Sequence, residues 1–358
     1  MLEARAAVRK LQAYHPPLAG RQGLRLDFNE NTVGCSPRVL ACIRSLDAET
    51  LARYPDREPV EREVARFMGL DSAQLLLTNG VDEAIHLLCS TYLEAGDEAI
   101  IVTPTFAMYS LFAQAEEAQI VEVHSGPDFS FPMGALQAKI TPRTRLIAVA
   151  NPNNPTGAAV SETLILQIAE AAPQAALLVD EAYFEFHGET LLANSERPDN
   201  LFVARTFSKA YGLAGLRIGV LVGETEQMAM VRRVASPYNV NAVALAVLPE
   251  ALRDTDFVER YAAEVRSNRT VLEGELRAMG LRYWPSRGNF VLTRIGPLHK
   301  EFVRSLRDRG ILVRDRNSDP GCGGCVRLTV GSDEHTRILI AAMRGVADDL
   351  ALTREVRA

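Results

Sequence analysis

The sequence predicts an α/β protein: a large domain around a mostly parallel central sheet, followed by a smaller α+β domain. Three observations carry this. Apolar runs of three to five residues recur between Leu75 and Val222, separated by stretches long enough for helices. Such near-continuous runs belong to strands buried on both faces, as in parallel sheets covered by helices. Each run ends at polar, glycine or proline residues, where the chain turns. After about residue 245 the pattern changes to a long helical stretch and further strand-like runs.

In chain order, residues 1–20 read as a loose arm, a short helix broken by Tyr14-His15-Pro16-Pro17. Residues 75–78 read as a strand that passes through Asn79-Gly80 into a helical run from Asp82. Strand-like runs at 98–102, 146–150, 176–179 and 201–204 end at Thr103-Pro104, Asn151-Pro152, Asp180 and Arg205. Residues 218–222 form another. A helix over 254–279, strands at 290–292, 311–313 and 326–330, and a closing helix complete the chain. The expected division is an N-terminal arm and small-domain segment (1–40), a large domain (41–245) and a small domain (246–358). Ligands of open α/β sheets sit beyond the carboxyl ends of the strands. Gly80, Asn154, Asp180 and Lys209 all lie just after apolar runs, so they are expected to converge.

Composition narrows the function. The 358 residues are enough for two domains, and 47% hydrophobic with 23% charged residues is the balance of a soluble globular protein. A net charge of −6 gives no electrostatic reason to expect nucleic acid or anionic membrane as partner. No apolar run reaches the roughly 18–20 residues of a membrane span. Glu3, Arg5, Arg9 and Lys10 interrupt the N-terminus, so no signal peptide is expected. Five cysteines, an odd number, fit a reducing cytoplasm better than a disulfide framework. Cys322 and Cys325 form a single CxxC with no second pair, and His335 lies ten residues on. They are expected to be incidental thiols in a glycine-rich loop, with no metal.

Three blocks stand out: Asn-Pro-Asn-Asn-Pro-Thr-Gly at 151–157, Leu-Leu-Val-Asp-Glu-Ala-Tyr at 177–183, and Arg-Thr-Phe-Ser-Lys-Ala-Tyr-Gly-Leu-Ala-Gly-Leu-Arg at 205–217. Singly, each has a bland reading. A lysine past a buried strand snorkels to solvent, a strand-end Asp caps a helix, and Asn-Pro strings are turns. Together, in this order, they resemble the fold-type-I aminotransferases that use pyridoxal phosphate, and in particular the histidinol-phosphate aminotransferases. The likeness runs from about Tyr14 to Gly331. It implies that the small domain combines the C-terminal part with an N-terminal segment.

The resemblance assigns roles. Lys209 would form the imine with the aldehyde cofactor and later move the substrate's α-proton. Asp180 would face the pyridine nitrogen and keep it protonated. Glu181 is the rival carboxylate, but strand alternation turns it the other way. Tyr183 and Asn154 would hydrogen-bond the ring's phenolic oxygen. Gly80, Val81 and Asp82 at a helix N-terminus, with Thr206, Ser208 and Arg217, would hold the phosphate. For Asp82, capping that helix is an equal reading. Phe106 would stack on the ring, with Tyr109 as the rival aromatic. Tyr54, in Arg-Tyr-Pro-Asp, would reach the cofactor phosphate of a neighbouring subunit, which implies a homodimer. Arg314 and Arg327 would read anionic substrate groups, and Tyr14, Asn29 and Tyr238 would border the substrate pocket.

The implied reaction passes an amino group from a small donor, glutamate, to a keto acceptor, imidazole-acetol phosphate, within histidine biosynthesis. The first alternative is an aromatic amino-acid aminotransferase. A threonine-phosphate decarboxylase-like lyase and a non-enzymatic, pyridoxal-phosphate-sensing regulator are further ones. The regulator needs a DNA-binding helix-turn-helix segment, and none is read in the twenty residues before the fold.

Overall fold

The computed structural model describes residues 2–13, 15, 20–194, 197–350 and 352. The strands run in chain order as follows. β1 is Leu24–Leu26. β2 (Leu75–Thr78), β3 (Glu98–Thr103), β4 (Gln119–His124) and β5 (Thr144–Ala150) come next. β6 (Ala176–Asp180), β7 (Leu201–Thr206) and β8 (Gly219–Val222) complete a seven-stranded sheet ordered β2-β8-β7-β6-β5-β3-β4. β9 (Arg282–Trp284), β10 (Phe290–Arg294), β11 (Ile311–Asp315) and β12 (Cys325–Thr329) join β1 in a second sheet ordered β1-β11-β12-β10-β9.

The large sheet is parallel from β4 through β7, and β8 runs antiparallel to both neighbours. Its central strands are apolar because both faces are covered. Leu177, Val179 and Val203 point into one core, while Leu178, Phe202 and Ala204 point into the other. This is the period-two alternation of a strand between two helix layers. The apolar runs read from the sequence correspond to β2, β3, β5, β6, β7 and β8. β4 escapes that reading because it is an edge strand with polar Gln119, Glu122 and His124 exposed along it.

In the second sheet, β1 pairs parallel with β11, so the N-terminal segment completes a sheet otherwise made by the C-terminal part. With three residues, β1 is too short to leave a periodic signal. The long helix Thr255–Ala278 packs against β9 and β10, and the closing helix Asp333–Asp349 packs on that helix. Among the described residues, no helix is long and apolar enough to cross a membrane. Cys322 and Cys325 are unbridged thiols, buried with Phe129, Trp284 and Leu292. No group of three or more His, Cys, Asp or Glu among the described residues could hold a metal ion.

Candidate active site

Sheet order decides what meets at the carboxyl ends of the strands. Ala150 on β5, Asp180 on β6 and Ala204 on β7 lie at one level in register. The residues that follow each strand therefore open onto one edge. The helix Gly80–Tyr92 starts at the same edge, because β2 is separated from β7 only by β8. A cleft of about 200 Å³ forms there. Its walls include Val81, Asp82, Phe106, Tyr109, Asn154, Asp180, Tyr183, Thr206, Ser208, Lys209 and Arg217. Sequence separations of more than a hundred residues are thus closed by the sheet.

Asp180 ends β6 and is buried. Its Oδ1 accepts from the Ala182 amide at 3.0 Å, and its Oδ2 accepts from the Tyr109 hydroxyl at 2.6 Å. Burial pushes its carboxyl up to about 6, although both hydrogen bonds pull the other way. Glu181 turns away, as strand alternation requires. It accepts from Thr190 Oγ1 at 2.8 Å, Arg205 Nε at 3.0 Å and the Leu191 amide at 2.8 Å. Those bonds leave it no access to the cleft. Lys209 sits in the turn after β7 and donates from Nζ to the Phe28 carbonyl at 3.0 Å. Burial, with Arg327 as the next contribution, brings its pKa down to about 8. An amine so placed sheds its proton far more readily than an exposed lysine.

The end of the cleft at the helix start is built around Gly80. Its φ of +75° suits glycine, and a Cβ there would fall 2.7 Å from Arg217 Nη2. Arg217 itself adopts a left-handed backbone, φ +53°, which aims its guanidinium back across the cleft mouth. Thr206 Oγ1 donates to Ser208 Oγ at 2.9 Å and accepts from the Ser208 amide at 3.1 Å, fixing that turn. Asp82 does not cap the helix. The N-cap position is Asn79, and Asp82 lies in the first turn, where it accepts from Arg217 Nη2 at 3.0 Å. Capping is replaced by an ion pair because the arginine, 135 residues later, reaches the same edge of the sheet. Gly219 was not singled out from sequence. A side chain there would meet Gly80 at 2.9 Å, so its smallness lets β8 pass under the helix start.

On the opposite side, Asn154 Oδ1 accepts from Arg327 Nη1 at 2.5 Å, so the amide offers its NH₂ to the cleft. The Tyr183 hydroxyl accepts from Asn29 Nδ2 at 2.9 Å, and burial keeps it protonated. Asn29 is thereby buried behind Tyr183 rather than on the cleft wall. Arg327 donates its other terminal nitrogen to the Asp27 carbonyl at 2.6 Å, and its buried Nε has no hydrogen-bond partner among the described residues. Arg314 faces Arg327 in register from β11, outside the cleft wall. Its guanidinium lies 5.2 Å from the Phe28 ring centroid, and Arg21 covers the same ring at 4.3 Å.

Tyr54 and Tyr238 lie away from this chain's cleft. Their rings stack on one another at 4.4 Å, and they are 80% and 56% exposed. Tyr14 lies outside the described residues. Tyr109, weighed from sequence only as a stacking rival to Phe106, instead bonds Asp180. Its place in the helix Met108–Ala115, one turn from Phe106, was the available signal.

These residues suit pyridoxal phosphate. A buried carboxylate, an amine of lowered pKa, an amide and a phenol line one end. Helix amides, two hydroxyls and a guanidinium line the other, around the space that a Cβ at Gly80 would fill.

Residues 21–343 match the family of class I and II aminotransferases. The histidinol-phosphate aminotransferase of Caldanaerobacter subterraneus subsp. tengcongensis is 34% identical over 299 residues, 82% of this chain and 84% of that protein. The chain belongs to the class I and II aminotransferases. Histidinol-phosphate aminotransferase 1 of Trichormus variabilis is 32% identical to this aminotransferase over 346 residues, 95% of this chain and 97% of that one. The crystal structure of a Sinorhizobium meliloti histidinol-phosphate aminotransferase in complex with pyridoxal-5'-phosphate superposes with a TM-score of 0.87. It covers 98% of this chain and 99% of that chain at 24% identity, a shared fold.

Proposed function

We propose that this aminotransferase interconverts imidazole-acetol phosphate and histidinol phosphate, with glutamate as the amino donor and pyridoxal phosphate as cofactor. The observation that carries the substrate reading is the pair Arg314 and Arg327, in register on adjacent strands beside Asn154 and Phe28. Two guanidiniums suit a ligand set in which one substrate brings a phosphate and the other two carboxylates. The relatives bearing this name span nearly the whole chain, which supports the same reading.

When bound, pyridoxal phosphate supplies an aldehyde that condenses with amines and a cationic ring that accepts electron density from the substrate's Cα. The protein's groups then divide the work. Lys209 Nζ, depressed to about 8, is the amine that would hold the cofactor and, once released, take and return the proton of the donor's Cα. The Asp180 carboxylate would hold a proton on the ring nitrogen. The Tyr183 hydroxyl and the Asn154 NH₂ would donate to the phenolic oxygen, and Phe106 would supply an aromatic face for the ring. Gly80, Val81 and Asp82 would offer backbone N–H groups to the phosphate, beside Thr206, Ser208 and Arg217. For Arg217 to turn to the phosphate, it must share or leave Asp82.

The reading extends to a homodimer in which Tyr54 serves the neighbouring site. Its exposure, stacked on Tyr238 and away from its own cleft, supports this. It extends also to the division 1–40, 41–245 and 246–358, supported by the pairing of β1 with β11, and to a cytoplasmic enzyme.

The test is a panel of amino donors mixed with the cofactor-loaded enzyme, read as the loss of cofactor absorbance in the first half-reaction. Histidinol phosphate is expected to exceed phenylalanine in kcat/KM. If phenylalanine is the better donor, the aromatic aminotransferase reading replaces this one on the same residues. Release of carbon dioxide from a phosphorylated amino acid, without a keto product, would make the protein a lyase.

A further inference from the structure

We propose that Tyr109 is a positioning residue for catalysis: its hydroxyl orients the Asp180 carboxylate toward the cofactor ring and maintains its charge. The inference deepens the assignment of Asp180 given above and rests on it.

Tyr109 is the second residue of the helix Met108–Ala115 and is 1% exposed. Its ring meets Phe106 edge-on, with centroids 5.8 Å apart at 85°. Its hydroxyl ends 2.6 Å from Asp180 Oδ2. Burial holds the phenol well above its usual range, so it stays protonated. Between a protonated phenol and a carboxylate, the phenol must donate. The bond is short, as charge-assisted O–H···O⁻ bonds are.

Asp180 needs such a donor. Removed from water, a carboxylate reverts to its neutral form unless donors stabilise the charge. Among the described residues, two donors touch it: the Ala182 amide on Oδ1 and Tyr109 on Oδ2. The first is backbone, and the second is the side-chain choice. The remaining charged and titratable groups do not replace it. Asp82, from the helix Gly80–Tyr92, opposes the charge on Asp180, and Lys209, from the turn after β7, favours it less than either hydrogen bond does. Tyr183, just after β6, is turned to Asn29. With Tyr109 and Ala182 in place the carboxyl still rises to about 6. Without the hydroxyl it rises further, into the working pH range, where a protonated Asp180 no longer counters the charge of a ring nitrogen. The two bonds also pin both oxygens, and so set the plane in which the remaining lone pairs point.

The variant Tyr109→Phe keeps the ring that packs on Phe106 and removes only the donor. In the cofactor-free protein, the Asp180 carboxyl is followed by carbon NMR of labelled aspartate, assigned with Asp180→Asn. Its titration is expected to move up by about one pH unit or more in Tyr109→Phe. In the loaded enzyme, kcat near neutral pH is expected to fall about tenfold, with KM within about twofold. The acid limb of the kcat profile should move to higher pH by the same amount, so that activity recovers as pH rises. An unchanged Asp180 titration, or a kcat loss equal at every pH, overturns the proposal. If the titration moves but Asp180→Asn leaves α-proton removal intact, the Tyr109–Asp180 link stands. The ring-nitrogen assignment, and the catalytic role drawn from it, then fail.

Discussion

Replacing Asp180 by asparagine is expected to stabilise the cofactor-free protein while removing most of its catalysis. Burial raises this carboxyl from 3.8 to about 6. A group whose native pKa lies above its unfolded value binds its proton more tightly when folded. Its favourable contribution is complete below the unfolded value and is lost as pH rises through the native one. The window therefore runs from about pH 4 to about pH 6. Above it, the ionised carboxylate costs the fold about 3 kcal/mol, from roughly two pKa units at about 1.4 kcal/mol each. Asparagine has nearly the same shape, still accepts from the Ala182 amide, and carries no charge to desolvate. Chemical unfolding of the cofactor-free proteins should show Asp180→Asn gaining up to about 3 kcal/mol near pH 7 and less than about 1 kcal/mol near pH 4. In the loaded enzyme the same change should slow α-proton removal by orders of magnitude and weaken cofactor binding much less. A stability gain equal at both pH values, or a loss near pH 7, would refute the reasoning that desolvation dominates at Asp180.

The other expectations follow from the same cleft. Gly80→Ala places a Cβ 2.7 Å from Arg217 Nη2 on a backbone of φ +75°. Cofactor affinity, read by absorbance titration, should fall about tenfold or more, the cost of losing one charge-assisted contact; unchanged affinity would remove Arg217 from the phosphate site. Arg327→Ala should injure histidinol phosphate and glutamate alike, because it also releases Asn154, whereas Arg314→Ala should injure the phosphorylated substrate more than phenylalanine. Each loss should be roughly one to two orders of magnitude in kcat/KM, and equal effects of Arg314→Ala on both substrates would detach it from phosphate recognition. Borohydride reduction of the loaded enzyme should attach the cofactor to Lys209, and peptide mapping to another lysine would contradict the assignment. Finally, inactive Tyr54→Ala and Lys209→Ala chains, mixed and allowed to exchange, should regain part of the activity. No recovery after demonstrated exchange would return Tyr54 to its own chain or remove it from the site.

The sequence by itself determined the central sheet and the edge at which its strands end. Runs such as Leu-Leu-Val-Asp at 177–180 have one stable use, a strand buried on both faces that ends where its first charge appears. That local rule placed Gly80, Asn154, Asp180 and Lys209 at strand ends, and the spacing of the three blocks carried the family resemblance. It also turned Glu181 away from Asp180, since alternation depends only on neighbours along the chain. Edge strands β4 and β9 and the three-residue β1 were not legible, because a strand with an exposed face or a single buried residue leaves no apolar run.

Partner choice belonged to the tertiary structure. Tyr109 meets Asp180 from 71 residues away because their helix and strand close on one edge. Asp82 pairs with Arg217 instead of capping its helix, and Arg327 reaches back to Asn154 from the second sheet. Tyr54 and Tyr238 stack on each other outside this chain's cleft. A hydrogen bond depends on distances of about 3 Å between atoms. Such distances are set by sheet order, register and the joining of two sheets, none of which local periodicity encodes.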